Sequence, residues 1–97
     1  MKKLSSVFTE DMDHCYFTGA APVERHHIFG GANRKLSEKY GFVVPLRPDL
    51  HPNGVHFKRT RETEKIDEFL KVQSQKYYEK HYGSREDFRR EFGKYAY

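Results

Sequence analysis

The sequence predicts a small α+β fold, and three observations carry that prediction. Two short strand-like runs, Val23 to Phe29 with two histidines in it and the apolar Phe42 to Leu46, are separated by glycine-bounded polar residues. A stripe of Ile66, Phe69, Leu70, Gln73 and Tyr77 follows at helical spacing. Four of the six histidines lie between positions 26 and 56, in the segment that joins these two patterns.

The elements follow in order. Residues 1–13 read as a loosely held arm, and Thr18-Gly19 with Pro22 as turn chemistry. Val23 to Phe29 predicts a short strand ended by Gly30-Gly31, and residues 32–40 predict two turns of helix stopped by Gly41. Phe42 to Leu46 predicts a second strand, with Pro45 marking its edge or exit. Pro48 and then Pro52-Asn53-Gly54 forbid regular helix and favour a reversal. The stripe beginning at Ile66 predicts a long amphipathic helix that stops at Gly83. Ser84 with Asp87 resembles a capping box that opens a last short helix, with Phe88 and Phe92 one turn apart and Gly93 as its stop. The expected organisation is one domain over 1–97, with an arm (1–13), a strand-and-helix core (14–60) and a helical cap (61–97).

Composition narrows the function classes. With 36% hydrophobic residues but seven Tyr and eight Phe, much of the core volume has to come from rings. So small a core gains from a metal tie. One cysteine, Cys15, excludes an intrachain disulfide framework and suits a reducing cytoplasm. No apolar run approaches the roughly 20 residues of a membrane span, and MKKLSSVF lacks the apolar stretch of a signal peptide. The net charge of +4 fits a polyanion partner without demanding one.

The histidines carry the chemistry. Imidazole is a common ligand for borderline metals and is tuned to take a proton near neutral pH. In a strand, neighbouring side chains point to opposite faces, so His26 and His27 cannot serve the same role in the same direction. On a helix, His51 and His56 would lie about 140° apart, poorly placed for chelation. A reversal at Pro52-Asn53-Gly54 removes that objection, and with His26 three imidazoles can converge on one ion. His27 is then free to act as general base toward a water. A lone histidine is more often a surface or hydrogen-bonded residue, and His14 and His81 fit that description. A structural zinc site using Cys15 and three histidines is the other possibility, although Cys15 has no nearby cysteine partner.

The stretch ERHHIFGGANRKLSEKYGFVVPLRPDLHPNGVHF resembles the HNH, or ββα-metal, endonucleases of phages and prophages. It is similar in particular to small phage HNH-like proteins and to the RecA-dependent nuclease domain of the recombination-enhancement type. The resemblance spans residues 15 to about 95. It implies a ββα-metal core with C-terminal helices, metal ligands at His26, His51 and His56, and a general base at His27. It further implies a metal-dependent hydrolase of DNA phosphodiester bonds in the cytoplasm of a bacterial host, linked to recombination or DNA processing. One divalent ion is the expected cofactor, Mg²⁺ or Mn²⁺ for catalysis, with Zn²⁺ or Ni²⁺ able to occupy the site. DNA is the expected partner, together with a host recombinase filament. The pattern departs from the family in two respects: paired cysteines for a structural zinc are missing, and neither Asn33 nor Asn53 stands where the middle asparagine belongs. A non-catalytic, metal-stabilised DNA-binding or recombination accessory protein is the alternative.

Other residues are candidates for backbone contacts. Arg34 and Lys35 lie close to the histidines, and Lys58 with Arg59 extends a basic track after His56. Glu24 is a candidate acceptor behind one of the histidines or a plain surface carboxylate. Tyr77, Tyr78, Tyr82, Tyr95 and Tyr97 suit base stacking, but helix packing is the preferred reading. Cys15 reads as a small buried residue.

Overall fold

A computed structural model describes residues 5–51 and 59–97. Strand β1 (Glu24–His27) leads through a 3-10 turn (Gly31–Asn33) into helix α1 (Arg34–Tyr40), strand β2 (Val43–Leu46) and a second 3-10 turn (Pro48–Leu50). Helices α2 (Arg61–His81) and α3 (Arg85–Phe92) complete the order, so the fold is α+β, with a ββα-like front and C-terminal helices. The strands pair antiparallel in the register Glu24↔Leu46, Arg25↔Pro45, His26↔Val44 and His27↔Val43. The first strand is shorter than Val23 to Phe29, although Ile28 still donates to the Phe42 carbonyl at 2.9 Å. The first helix starts at Arg34 rather than at 32 because the chain makes the 3-10 turn first.

Pro45 sits inside β2, which is an edge strand of the two-stranded sheet, rather than at its exit. It has no N–H to satisfy, and its carbonyl accepts from Tyr16 N–H at 2.9 Å. Residues 5–13 pack on the domain rather than forming a loose arm. Val7 N–H donates to the Gly41 carbonyl at 3.0 Å, Phe8 stacks on Phe42 with centroids 6.0 Å apart, and Met12 is buried. Gly41 ends α1 with φ +74, and a Cβ there would meet Val7 Cγ1 at 2.9 Å. That position requires glycine on both counts.

The core is aromatic, as the composition requires. Phe88 and Phe92 stack with centroids 4.5 Å apart, and Phe29 meets Phe92 at 4.6 Å. Ser84 and Asp87 form the expected capping box, and Gly93 closes α3 with φ +91. Helix α2 opens on a box that the sequence did not announce, Thr60 with Thr63. Its buried face is Thr63, Leu70, Ser74, Gln75 and Tyr78, so the apolar stripe is only partly the core face. Phe69 is 52% exposed and meets Phe17 edge-on at 6.1 Å. No helix among the described residues is long and apolar enough to cross a membrane.

Candidate functional site

Strand alternation sends Glu24 and His26 to one side of β1 and His27 to the other. Where each goes is set by what its side of the strand packs against. Ser37, fully buried on α1, donates to the Phe29 carbonyl at 2.8 Å and accepts from Phe29 N–H at 2.9 Å. This clasp fixes α1 against the end of β1 and brings the next residue, Glu38, to His27. Glu38 Oε1 lies 2.9 Å from His27 Nε2. A carboxylate accepts only, so Nε2 carries the proton and Nδ1 keeps its lone pair.

On the other side, the Pro48–Leu50 turn carries the chain from β2 to His51. The His51 ring lies edge-on to that of His26, centroids 5.2 Å apart. His51 Nδ1 donates to Glu24 Oε1 at 2.7 Å, which leaves Nε2 as the acceptor nitrogen. The carboxylate two residues before His26 therefore orients its partner histidine.

His26 is the anomaly of the fold. It is 3% exposed, and neither ring nitrogen has a hydrogen-bond partner among the described residues. Burial, followed by the charges of His51, Lys71 and His27, pushes its pKa down to about 3. The ring is neutral at pH 7, with a lone pair and an N–H both left unsatisfied. Buried polar groups are nearly always hydrogen-bonded, so this ring calls for a partner such as a water or an ion.

His26, His27, His51 and Arg34 border one cleft of about 190 Å³, which Gly30 and Gly31 keep free of side chains at the end of β1. The two histidines of the pair follow opposite faces of the strand yet border the same cleft, at the end of β1. Four of the expected site residues thus come together. Lys35 is exposed on α1 away from the cleft, and Arg59 is 80% exposed beside Glu64 at 3.7 Å. Neither is among the described residues that line the cleft. His56 and Lys58, and the reversal at Pro52-Asn53-Gly54, lie outside the described residues.

The donor set suits a divalent ion in kind: two imidazoles, one buried and unpaired, one held by a carboxylate. Among the described residues, no group of three or more such ligands is gathered. Cys15 is not part of the cleft. It lies in the apolar core, its thiol near Thr18 and the Arg47 backbone, so a zinc site built on it finds no support. Asn33 donates its amide to the Phe92 carbonyl at 2.9 Å, tying the start of α1 to the end of α3. His14 pairs with Asp11 at 2.9 Å on the surface, and His81 packs on Tyr77 at 4.2 Å.

Two contributors escaped the sequence, Glu38 and Lys71. Glu38 stands eleven positions after its partner, and nothing local marks it; the Ser37 clasp creates the pair. Lys71 acts on His26 from the middle of α2. No family model, curated protein or solved structure matches the chain. The class rests on fold and site alone: a small α+β domain with a paired-histidine cleft.

Proposed function

We propose that the chain is a metal-dependent, HNH-type endonuclease that hydrolyses DNA phosphodiester bonds, phage-encoded and serving recombination or DNA processing in a bacterial host. One observation carries the reading. A buried neutral His26 with two unpaired nitrogens sits beside a carboxylate-held His51, and a carboxylate-held His27 borders the same cleft.

His26 and His51, with His56 as the third expected ligand, would hold one divalent ion, Mg²⁺ or Mn²⁺ in cells and Zn²⁺ or Ni²⁺ by affinity. When bound, such an ion supplies Lewis-acid stabilisation of the charge on the phosphate and on the leaving 3′ oxygen. His27 Nδ1 accepts the proton of the attacking water. Glu38 holds the ring in the tautomer that this requires and favours the imidazolium that results. The Arg34 guanidinium binds a phosphate oxygen, and the side-chain-free Gly30-Gly31 edge admits the backbone. The reading needs DNA and one ion; a host recombinase filament is a further partner that the family resemblance suggests.

Nicking of supercoiled plasmid with Mg²⁺, Mn²⁺, Ni²⁺ or Zn²⁺ tests the reading. The parent should cut with at least one ion, and His27→Ala should cut at least roughly 100-fold more slowly, with metal affinity and fold unchanged. Normal cutting by His27→Ala would remove the base assignment. A parent inert with every ion would leave a non-catalytic DNA-binding role.

A further inference from the structure

The segment after α3 folds back across α2. Ala96 N–H donates to Oε1 of the fully buried Gln75 at 2.6 Å. Gln75 in turn donates to Glu79 Oε2 at 3.1 Å, and the Tyr97 hydroxyl donates to the same oxygen at 2.5 Å. The Arg85 guanidinium lies 4.1 Å from the Tyr95 ring and 4.9 Å from the Tyr97 ring, and Arg89 lies 5.9 Å from Tyr95. Tyr95 and Tyr97 nevertheless stay 38% and 47% exposed. Aromatic rings fixed in place, flanked by guanidinium groups and open to solvent, are the elements of a base-stacking platform.

Beneath Tyr95 lies a pocket of about 250 Å³, walled by Phe29, Phe92 and Tyr95 and edged by Glu68, Lys71 and Lys94. We propose that this pocket takes one unpaired base of a single nucleic-acid strand, stacked on Tyr95, with Lys94 and Arg89 against the flanking phosphates, while Arg85, which donates to the Tyr97 carbonyl, holds the two rings in place.

The charges agree with that orientation. Asp67, also on the pocket wall, is paired with Lys71 at 3.1 Å. Glu68 has no ion pair among the described residues. A free carboxylate repels phosphate but accepts from the exocyclic amine of a base such as cytosine. The base therefore points inward and the phosphates lie along the Lys94 and Arg89 side. A base inside a duplex cannot leave its stack without cost, so an already single strand is favoured. The pocket is next to the histidine cleft: Asn33 lines it, and the following residue, Arg34, borders the cleft. Lys71, on its edge, acts electrostatically on His26.

This inference rests on the nuclease reading only for what the bound strand is held against; binding itself is measurable without cleavage. The test is fluorescence anisotropy of a labelled 12-nucleotide oligo(dC), and of a duplex of equal length, with the full chain in EDTA. The parent should bind the single strand more tightly than the duplex. Tyr95→Ala should weaken single-strand binding roughly 5- to 100-fold, the range of one lost base stack, whereas Tyr95→Phe should bind as the parent does. Equal binding by Tyr95→Ala, with a thermal melt like the parent's, would overturn the proposal, as would equal binding of duplex and single strand. If the parent cuts plasmid while Tyr95→Ala binds unchanged, the subsite is wrong and the nuclease reading stands. Loss of binding by Tyr95→Ala in a protein that never cuts would keep the subsite and remove the nuclease.

Discussion

Replacing His26 by leucine separates the cost of the histidine from its use. In the metal-free protein the ring is 3% exposed with both nitrogens unpaired. Each buried, unsatisfied polar group costs about 1–3 kcal/mol, and leucine fills similar space without that cost. Metal-free His26→Leu should therefore be about 2 kcal/mol more stable than the parent. For a domain of this size that is an upward shift in Tm of about 10 °C. The effect should reverse with metal, since an ion at 100 times its Kd stabilises the parent by about 2.7 kcal/mol and the variant by nothing. A pH series adds a second signature. The folded His26 titrates at about 3 and the unfolded one near 6.5, so between these values the unfolded chain binds the extra proton. Stability is full above about pH 6.5 and falls as the pH drops toward 3, by about 5 kcal/mol at most, and His26→Leu should lose that part of the slope. The assay is thermal unfolding by circular dichroism in EDTA and in excess Mn²⁺ or Zn²⁺, repeated from pH 7 to pH 4. A metal-free variant less stable than the parent, or one that keeps the metal-induced shift, would refute the reasoning.

Glu38→Ala should slow plasmid nicking by tenfold or more without changing metal affinity, because it frees the His27 ring and leaves the ligand side of β1 untouched; unchanged nicking would show that the Glu38 contact at 2.9 Å has no part in the reaction. Gly41→Ala should lower stability in urea by about 1–3 kcal/mol, since it combines φ +74 with a 2.9 Å approach to Val7 Cγ1, and truncation of Val7 as well should recover part of the loss.

Local signals were legible wherever the structure is decided locally. Gly41 and Gly93 stop their helices, Ser84 and Asp87 close their box, and Phe88 and Phe92 lie together because one helical turn puts them there. The pleat of the strand alone sends His26 and His27 to opposite faces, yet both rings border one cleft. The features that were missed depend on distant partners. Residues 5–13 look like an arm because their anchors, Gly41 and Phe42, are far along the chain. Phe69 belongs to a correct helical stripe, yet the packing surface lies to one side of it, toward Leu70, Ser74 and Tyr78. Of the two readings of Pro45, edge or exit, the edge holds, since β2 is an edge strand of a two-stranded sheet, and the Tyr16 N–H that donates to its carbonyl lies far back in the chain. At the site, Glu24 was visible as a carboxylate near the pair, but its histidine is His51, brought to it by the Pro48–Leu50 turn.

Titration of the full chain with cobalt(II), followed by its visible d–d absorption, bears most directly on the metal assignment. Saturation at one ion per chain, lost in both His26→Leu and His51→Ala and retained in His27→Ala, is the expected result. Saturation that survives in both ligand variants would place the ion elsewhere and contradict the paired-histidine centre.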